Sequence, residues 1–119
     1  MTKKQRSYWF GIFAEYLTIL IFFFNGYKFL NRRYKTKLGE IDLIFTKDKY
    51  LVVVEVKARK NKNVEISEVV SYKQYKRIIN ATKLFLNKNK KYSNFFIRID
   101  VVLVYGIFKI EHLENVWSE

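Results

Sequence analysis

The spacing of apolar residues along this chain predicts two helices and five strands. Apolar residues recur at helical spacing in two segments, and short apolar or alternating runs of strand length fill the others. The predicted elements are a helix from Ser7 to about Phe24, strands at Tyr27–Tyr34, Gly39–Thr46 and Tyr50–Arg59, a helix from Ser71 to about Asn87, and strands at Phe95–Tyr105 and Ile107–Leu113; residues 61–65 are predicted as a loop. The order α-β-β-β-α-β-β indicates an α/β sandwich, with a mixed central sheet flanked by helices.

The first predicted helix places a carboxylate on a face that should pack against the sheet. Its apolar stripe includes Glu15 among Tyr8, Gly11, Ile12, Ile19 and Phe22. A buried charge without a partner is costly, so Glu15 is a candidate functional residue.

The second predicted helix is amphipathic and begins at a capping signal. Ser71 and Gln74 form a capping-box pattern, and Val70 with Tyr75 is placed as a hydrophobic staple. Its core stripe is predicted to be Tyr75, Ile78, Ile79, Thr82, Phe85 and Leu86, and the opposite stripe Lys73, Lys76, Arg77, Asn80 and Lys83. The second helix therefore presents a basic face to solvent.

Composition narrows the classes of function that fit. A length of 119 residues predicts one domain spanning residues 1–119, and the absence of cysteine excludes disulfides, thiolate metal sites and cysteine nucleophiles. Cysteine-free chains fit a reducing compartment, so we expect the cytoplasm. The net charge is +12, and eight Lys or Arg residues but one acid precede Gly39. Such an excess predicts a polyanionic partner, nucleic acid before membrane.

The apolar segment Tyr8–Phe24 also has some features of a membrane anchor. Lys3, Lys4 and Arg6 precede it, but Glu15 lies near its centre, and the uninterrupted part after Glu15 is too short to span a bilayer. We therefore predict no integral membrane segment.

Acidic residues in the middle of two predicted strands are the strongest signal of a site. A two-residue turn at Asp48-Lys49 sets a register in which Asp42 faces Glu55, with Cβ atoms about 5 Å apart. The two carboxylates repel each other unless a cation, a proton or a neighbouring lysine relieves them. Mg²⁺ suits such a pair, and Lys57, on the same face as Glu55, could assist an attacking water. The alternative interpretation is an ion network that only holds the hairpin together.

An ordered set of motifs covers nearly the whole chain: Gly11-x-x-x-Glu15, Gly39-Glu-Ile-Asp42-Leu-Ile, Val54-Glu55-Val56-Lys57-x-Arg59, Lys73 with Arg77, and Arg98-Ile-Asp100-Val-Val. This set resembles the bacterial YraN family, which is similar to the PD-(D/E)xK nuclease superfamily of restriction endonucleases and archaeal Holliday-junction resolvases. The resemblance implies a restriction-endonuclease-like sandwich. It also implies that Asp42 and Glu55 bind metal, that Lys57 is catalytic, and that Glu15 is an acidic partner from the first helix. The chain departs from the superfamily pattern in having no proline before Asp42 and no Gln-x-x-x-Tyr motif.

These observations together predict a nuclease that uses Mg²⁺ or Mn²⁺ to hydrolyse phosphodiester bonds. Backbone phosphates would be neutralised by Arg59, Lys73, Lys76 and Arg77, and DNA is favoured over RNA as the partner. Cleavage of branched DNA would require two sites and hence a homodimer. Two alternatives stay open, a nucleic-acid-binding module without catalysis and a membrane-associated accessory protein using Tyr8–Phe24.

Two further groups of polar residues are interpreted as structural. His112 lies near Glu111 and Glu114 and could be a metal ligand, although a single histidine is more often structural. Arg98 and Asp100 share one strand face and are expected to pair with each other.

Overall fold

The computed structural model describes residues 1–60 and 71–117, and within them it confirms the predicted order of helix, three strands, helix and two strands. The elements are α1 (Lys3–Phe24), β1 (Lys28–Lys35), β2 (Glu40–Lys47), β3 (Tyr50–Ala58), α2 (Tyr72–Lys88), a short 3₁₀ helix (Lys90–Tyr92), β4 (Phe96–Gly106) and β5 (Lys109–Trp117). The loop predicted at residues 61–65 and the staple residue Val70 lie outside the described residues.

The five strands form one mixed sheet in the order β1-β2-β3-β4-β5. Strands β3 and β4 are parallel, and the other neighbouring pairs are antiparallel. Parallel pairing requires a long crossover, and α2 lies within the connection from β3 to β4. The β2–β3 hairpin has Lys47 opposite Tyr50, the register that a two-residue turn predicts.

The two helices cover opposite faces of the sheet. Leu51 and Val53 of β3 belong to the buried cluster that contains the inner face of α2. Val52 and Val54, which alternate with them, belong to the cluster that contains the inner face of α1. By the same alternation, Glu55 lies on the α2 face of the sheet.

Two predicted element boundaries were wrong by several residues. Helix α1 begins at Lys3 rather than Ser7, because Thr2 and Gln5 form a capping box that extends the helix by one turn. Strand β5 spans Lys109–Trp117 rather than Ile107–Leu113. Ile107 instead belongs to the turn between β4 and β5.

The apolar stripe predicted for α1 was correct only in part. Glu15 and Phe22 are buried as expected, but Tyr8 is 56% exposed, and every residue before Phe10 is exposed as well. The prediction missed Ala14, Leu17 and Thr18, which are also buried. By contrast, the core stripe predicted for α2 is confirmed, with Leu86 partly buried and Ala81 added.

Candidate functional site

Four of the predicted residues, Asp42, Glu55, Lys73 and Arg77, meet in a cleft of about 460 Å³ between the β2–β3 hairpin and the first turns of α2. Carboxylates line one wall and cationic or polar side chains line the other. The residues that line the cleft are Glu40, Asp42, Glu55, Ser71, Lys73, Gln74, Arg77 and Ile78.

Asp42 lies where the regular pairing of β2 with β3 ends. The last paired residues are Leu43 and Val54, and beyond them Asp42 Oδ2 accepts a hydrogen bond from the Val56 N–H at 2.8 Å. Strict alternation along β2 is interrupted at this point, since Ile41 and Ile44 both pack in the α2-side cluster. Counting back from Ile44, regular alternation places Asp42 on the α2 face together with Glu55, and the irregularity brings Ile41 to that face as well.

Glu55 is buried, with 8% of its surface exposed, and it faces a second carboxylate. Burial and the charge of Asp42, with a hydrogen bond between the two carboxyl groups, raise the pKa of Glu55 to about 9. The charge of Lys57 acts in the opposite direction, and Glu40 adds to the rise in this pKa. Lys57 is therefore close enough to influence Glu55, but it does not balance the pair.

The opposite wall of the cleft is the N-terminal part of α2. Ser71 caps this helix, with its Oγ accepting the Gln74 N–H at 3.2 Å, which confirms this half of the predicted capping box. Lys73 and Arg77 are exposed and four residues apart, so they lie on one side of the helix. Two cations and a helix N-terminus together favour a bound anion on this wall.

Gly39 allows the two walls to approach each other. A Cβ atom at this position would lie 2.5 Å from the Arg77 carbonyl oxygen, which is main chain and cannot move independently of α2. The preceding turn is closed by Thr36, whose Oγ1 donates to the Gly39 carbonyl at 2.7 Å. A side chain at position 39 would therefore push Arg77 away from the carboxylates.

The donor set of the cleft fits a hard divalent cation. Within residues 1–60 and 71–117, no group of three or more His, Cys, Asp or Glu side chains is placed to hold a metal ion. Two carboxylates are sufficient for Mg²⁺, which keeps several waters and takes further oxygen ligands from substrate phosphates. Burial and the charge of Asp42 raise the pKa of Glu55, and the charge of Lys57 does not offset them.

Two of the predicted phosphate-binding residues lie outside this arrangement. Arg59 is exposed at the end of β3 and donates from Nη1 to the Ala58 carbonyl at 2.8 Å. Lys76 is exposed on α2, one residue before Arg77, and is not among the residues that line the cleft. Lys73 and Arg77 are the predicted cations that the fold brings opposite the carboxylates.

Glu15 is on the other side of the sheet. Its Oε1 accepts hydrogen bonds from Arg32 Nε at 3.0 Å and Arg33 Nε at 3.2 Å, and α1 packs on the face opposite α2. These arginines balance the buried carboxylate. That Glu15 supports a metal bound by Asp42 and Glu55 stays a prediction, and its contacts give it a structural role in holding α1 to β1.

Asp100 is the centre of a separate, balanced polar network on the α1 face. It accepts from Arg98 Nε at 3.0 Å and Nη2 at 2.9 Å, from the Asn115 N–H at 3.0 Å, and contacts His112 Nε2 at 2.7 Å. Burial alone would raise the pKa of Asp100, but the hydrogen bonds from His112, Arg98 and Asn115 lower it. Arg98 also donates to the Tyr27 hydroxyl at 2.6 Å. This network matches the structural interpretation of Arg98, Asp100 and His112.

Sequence reasoning assigned no role in the cleft to Glu40, Ser71, Gly39 or Gln74, beyond the helix cap. Glu40 precedes Asp42 by two residues, and residues at this spacing in a strand lie on the same face, which was the available signal for a place in the cleft. The signal for Gly39 was weaker, since a glycine at the start of a strand is also common in turns. Its steric role depends on how closely α2 approaches.

Comparison with known proteins places the chain in a family. Residues 14–104 match the model of the uncharacterised protein family UPF0102. A UPF0102 protein of Ehrlichia ruminantium is 37% identical over 110 residues, covering 92% of this chain and 84% of the relative. A UPF0102 protein of a Chelativorans species is 36% identical over 116 residues, covering 98% of this chain and 93% of the relative. A UPF0102 protein of Clostridium botulinum is 36% identical over 111 residues, covering 88% of this chain and 90% of the relative. The motifs, the fold and these matches agree, and the chain belongs to the UPF0102 family, the YraN family that the motifs indicate.

Proposed function

We propose that this protein is a nuclease that hydrolyses phosphodiester bonds of DNA with the help of Mg²⁺ or Mn²⁺. The observation that carries the proposal is the cleft in which Asp42 and Glu55 face Lys73 and Arg77. A phosphodiester in such a cleft would have its charge neutralised from one side, while the unbalanced carboxylates hold a cation on the other side. The resemblance to the PD-(D/E)xK nucleases supports this assignment.

Asp42 and Glu55 would hold the metal, which supplies charge neutralisation at the phosphate and a lower pKa for a bound water. Asp42 is oriented for this by the Val56 N–H. Glu55 has to lose the proton that its raised pKa retains near neutral pH. Binding of the cation should therefore release protons and become stronger as pH rises.

Lys57 would stabilise developing negative charge or assist the attacking water. It lies two residues after Glu55, hence on the same side of β3, and its charge already acts on that carboxylate. Lys73 and Arg77 would bind the phosphates flanking the cleaved bond, with Arg59 and Lys76 extending this basic surface.

Binding to duplex DNA tests the basic wall. The log of the binding constant should fall with the log of the salt concentration by about 0.9 for each phosphate neutralised. Replacing Lys73 and Arg77 by alanine should therefore flatten the slope by about two units and weaken all sequences alike. The matched control is Lys88→Ala with Lys90→Ala, which removes the same charge near the other end of α2. A slope near zero in the parent would exclude DNA as the partner.

Cleavage of linear, nicked, branched and single-stranded DNA with Mn²⁺, Mg²⁺ or EDTA tests catalysis. Cleavage should require the metal and should be lost in Glu55→Gln and Lys57→Met, while DNA binding is kept. Glu111→Gln and Lys109→Met, which make the same charge changes on β5, should cleave as the parent does. Equal cleavage by all variants would reveal a contaminating nuclease. Metal-independent DNA binding without cleavage would instead favour a non-catalytic binding module.

A further inference from the structure

The outward face of α1 carries a continuous stripe of large apolar side chains. Trp9, Phe13, Tyr16, Leu20 and Phe23 follow one another at spacings of three or four residues, and each is between 39% and 67% exposed. We call these five residues the α1 stripe. A surface helix of a soluble domain normally presents polar residues on this side, as α2 does, and contiguous exposed apolar surface marks an interaction site.

The inner face of α1 is fully used by the fold. Ala14, Leu17 and Phe22 pack against Leu43 and Phe45 of the sheet, together with other residues of the α1-side cluster. Although α1 is the one helix of the described residues that is long and apolar enough to cross a membrane, inserting it across a bilayer would expose this cluster. The helix therefore offers one apolar face while it remains attached to the domain.

The charges beside the α1 stripe are cationic. Lys3, Lys4 and Arg6 lie in the exposed first turns of α1, and the Arg32 guanidinium lies 4.8 Å from the centre of the Tyr16 ring. Glu15 is the only acidic residue of the helix, and it is buried and paired with arginines. The surface thus combines an apolar centre with a positively charged end and lacks an exposed acid on the helix itself.

From this complementarity we propose that the α1 stripe docks the protein on an anionic lipid bilayer, with α1 lying in the plane of the interface. Aromatic residues such as Trp9 and Tyr16 favour the boundary between headgroups and acyl chains, and Lys3, Lys4 and Arg6 would meet anionic headgroups. A second copy of the chain is less suitable as a partner, since each copy carries a net charge of +12 and would bring the same cations together. Nucleic acid is anionic but offers no apolar surface of this size.

Co-sedimentation of the full chain with lipid vesicles tests the proposal. The parent should bind vesicles of phosphatidylglycerol and phosphatidylcholine, bind vesicles of phosphatidylcholine alone more weakly, and lose part of its binding as salt is raised. Leu20→Gln with Phe23→Gln should weaken binding about tenfold, because two large apolar side chains leave the interface. Lys3→Gln with Lys4→Gln should weaken binding to anionic vesicles by about the same factor.

The matched controls change other surfaces by the same chemistry. Leu38→Gln with Phe96→Gln removes two exposed apolar residues beside the α2 layer, and Lys88→Gln with Lys90→Gln removes two cations. Both controls should bind vesicles as the parent does. The fluorescence of Trp9, measured in a Trp117→Phe background, should shift to shorter wavelength on binding and be quenched by brominated lipid.

Two results would overturn the proposal. One is equal binding to vesicles by the parent, the α1 variants and the controls, which would reflect the overall positive charge only. The other is absence of vesicle binding together with a dimer in sedimentation experiments that Leu20→Gln with Phe23→Gln dissociates, which would assign the α1 stripe to a second copy. Neither result depends on nuclease activity, so the lipid and nuclease proposals fail independently.

Discussion

The two faces of the central sheet both bury acidic residues, but only one face balances them. On the α1 face, Asp100 is fully buried and makes hydrogen bonds to Arg98, His112 and the Asn115 N–H. On the α2 face, Glu55 is nearly as buried, but its neighbours include Asp42, and its pKa is raised rather than lowered. A balanced network is typical of a structural role, and a group with a strongly shifted pKa in an open cleft is typical of a functional site.

The outer surfaces of the two helices also differ in the kind of side chain that they expose. Helix α2 exposes cations beside the cleft, whereas α1 exposes the apolar α1 stripe. The exposed cations of α2 agree with the proposed contact to DNA, and the exposed apolar residues of α1 agree with the proposed contact to lipid. The following experiments separate the two faces, from the largest expected effect to the smallest.

The largest difference in stability should be between alanine substitutions of two neighbouring phenylalanines of α1. Phe22 is 2% exposed, and its ring centroid lies 4.5 to 4.7 Å from those of Tyr27, Phe45 and His112, whereas Phe23 is 67% exposed. Phe22→Ala should lower the free energy of unfolding in urea by about 3 to 5 kcal/mol, and Phe23→Ala should change it by less than about 0.5 kcal/mol. A large loss in Phe23→Ala that grows with protein concentration would show that a second copy covers the outer face.

Removing one charge from each acidic site should change stability in opposite directions. Asp100→Asn leaves Arg98 and His112 without their buried partner and should lower the free energy of unfolding by about 3 kcal/mol. Asp42→Asn keeps an acceptor for the Val56 N–H and removes a charge that helps to raise the pKa of Glu55, so in EDTA at a pH near 9, where Glu55 loses its proton, it should melt above the parent. A lower melting temperature for Asp42→Asn would identify the cleft as a structural ion network.

Divalent cations should stabilise the protein through the carboxylates on the α2 face only. Mg²⁺ or Mn²⁺ at a hundred times its dissociation constant should raise the free energy of unfolding of the parent by about 2.7 kcal/mol. Asp42→Asn and Glu55→Gln should gain much less, while Glu111→Gln, which removes an exposed acid from β5, should gain as much as the parent. An equal gain in all four proteins would place the metal outside the cleft.

The pH dependence of stability should show the unbalanced carboxylate directly. Folding raises the pKa of Glu55 from 4.5 to about 9, so between these values the folded state holds a proton that the unfolded state has lost. The associated stability is present below pH 4.5 and is lost as pH rises towards 9. In EDTA, Glu55→Gln should lose less stability than the parent between about pH 5 and about pH 8. For each pH unit in this window, the parent should lose about 1 kcal/mol of stability that Glu55→Gln keeps, which is about 4 °C in melting temperature for a domain of this size.

On the α1 face, the pH dependence of stability should have the opposite sign. The lowered pKa of Asp100 contributes stability that is present above its ordinary value of 3.8 and lost as pH falls through its folded-state pKa. Relative to the parent, Asp100→Asn should therefore lose less stability below about pH 4. If the two variants show the same pH dependence, the distinction between the faces is wrong.

Local pattern is sufficient to predict the order of elements and the hairpin register of this protein. The β2–β3 turn has two residues, so counting outward from it along the sequence places Asp42 opposite Glu55. The core stripe of α2 is equally predictable, because its apolar and charged residues segregate at helical spacing. The same reasoning is less accurate for α1, whose apolar residues occur on all sides.

Tertiary structure decided which of these residues meet. No sequence pattern states that α1 and α2 cover opposite faces, and this arrangement places Glu15 with Arg32 and Arg33 and away from Glu55. Nor does the sequence state that a Cβ at position 39 would collide with the Arg77 carbonyl. Periodicity depends on neighbours in the chain and can be read from sequence. Which residues line the cleft, and which residues of α1 stay exposed, depends on packing between distant segments, which only the folded chain defines.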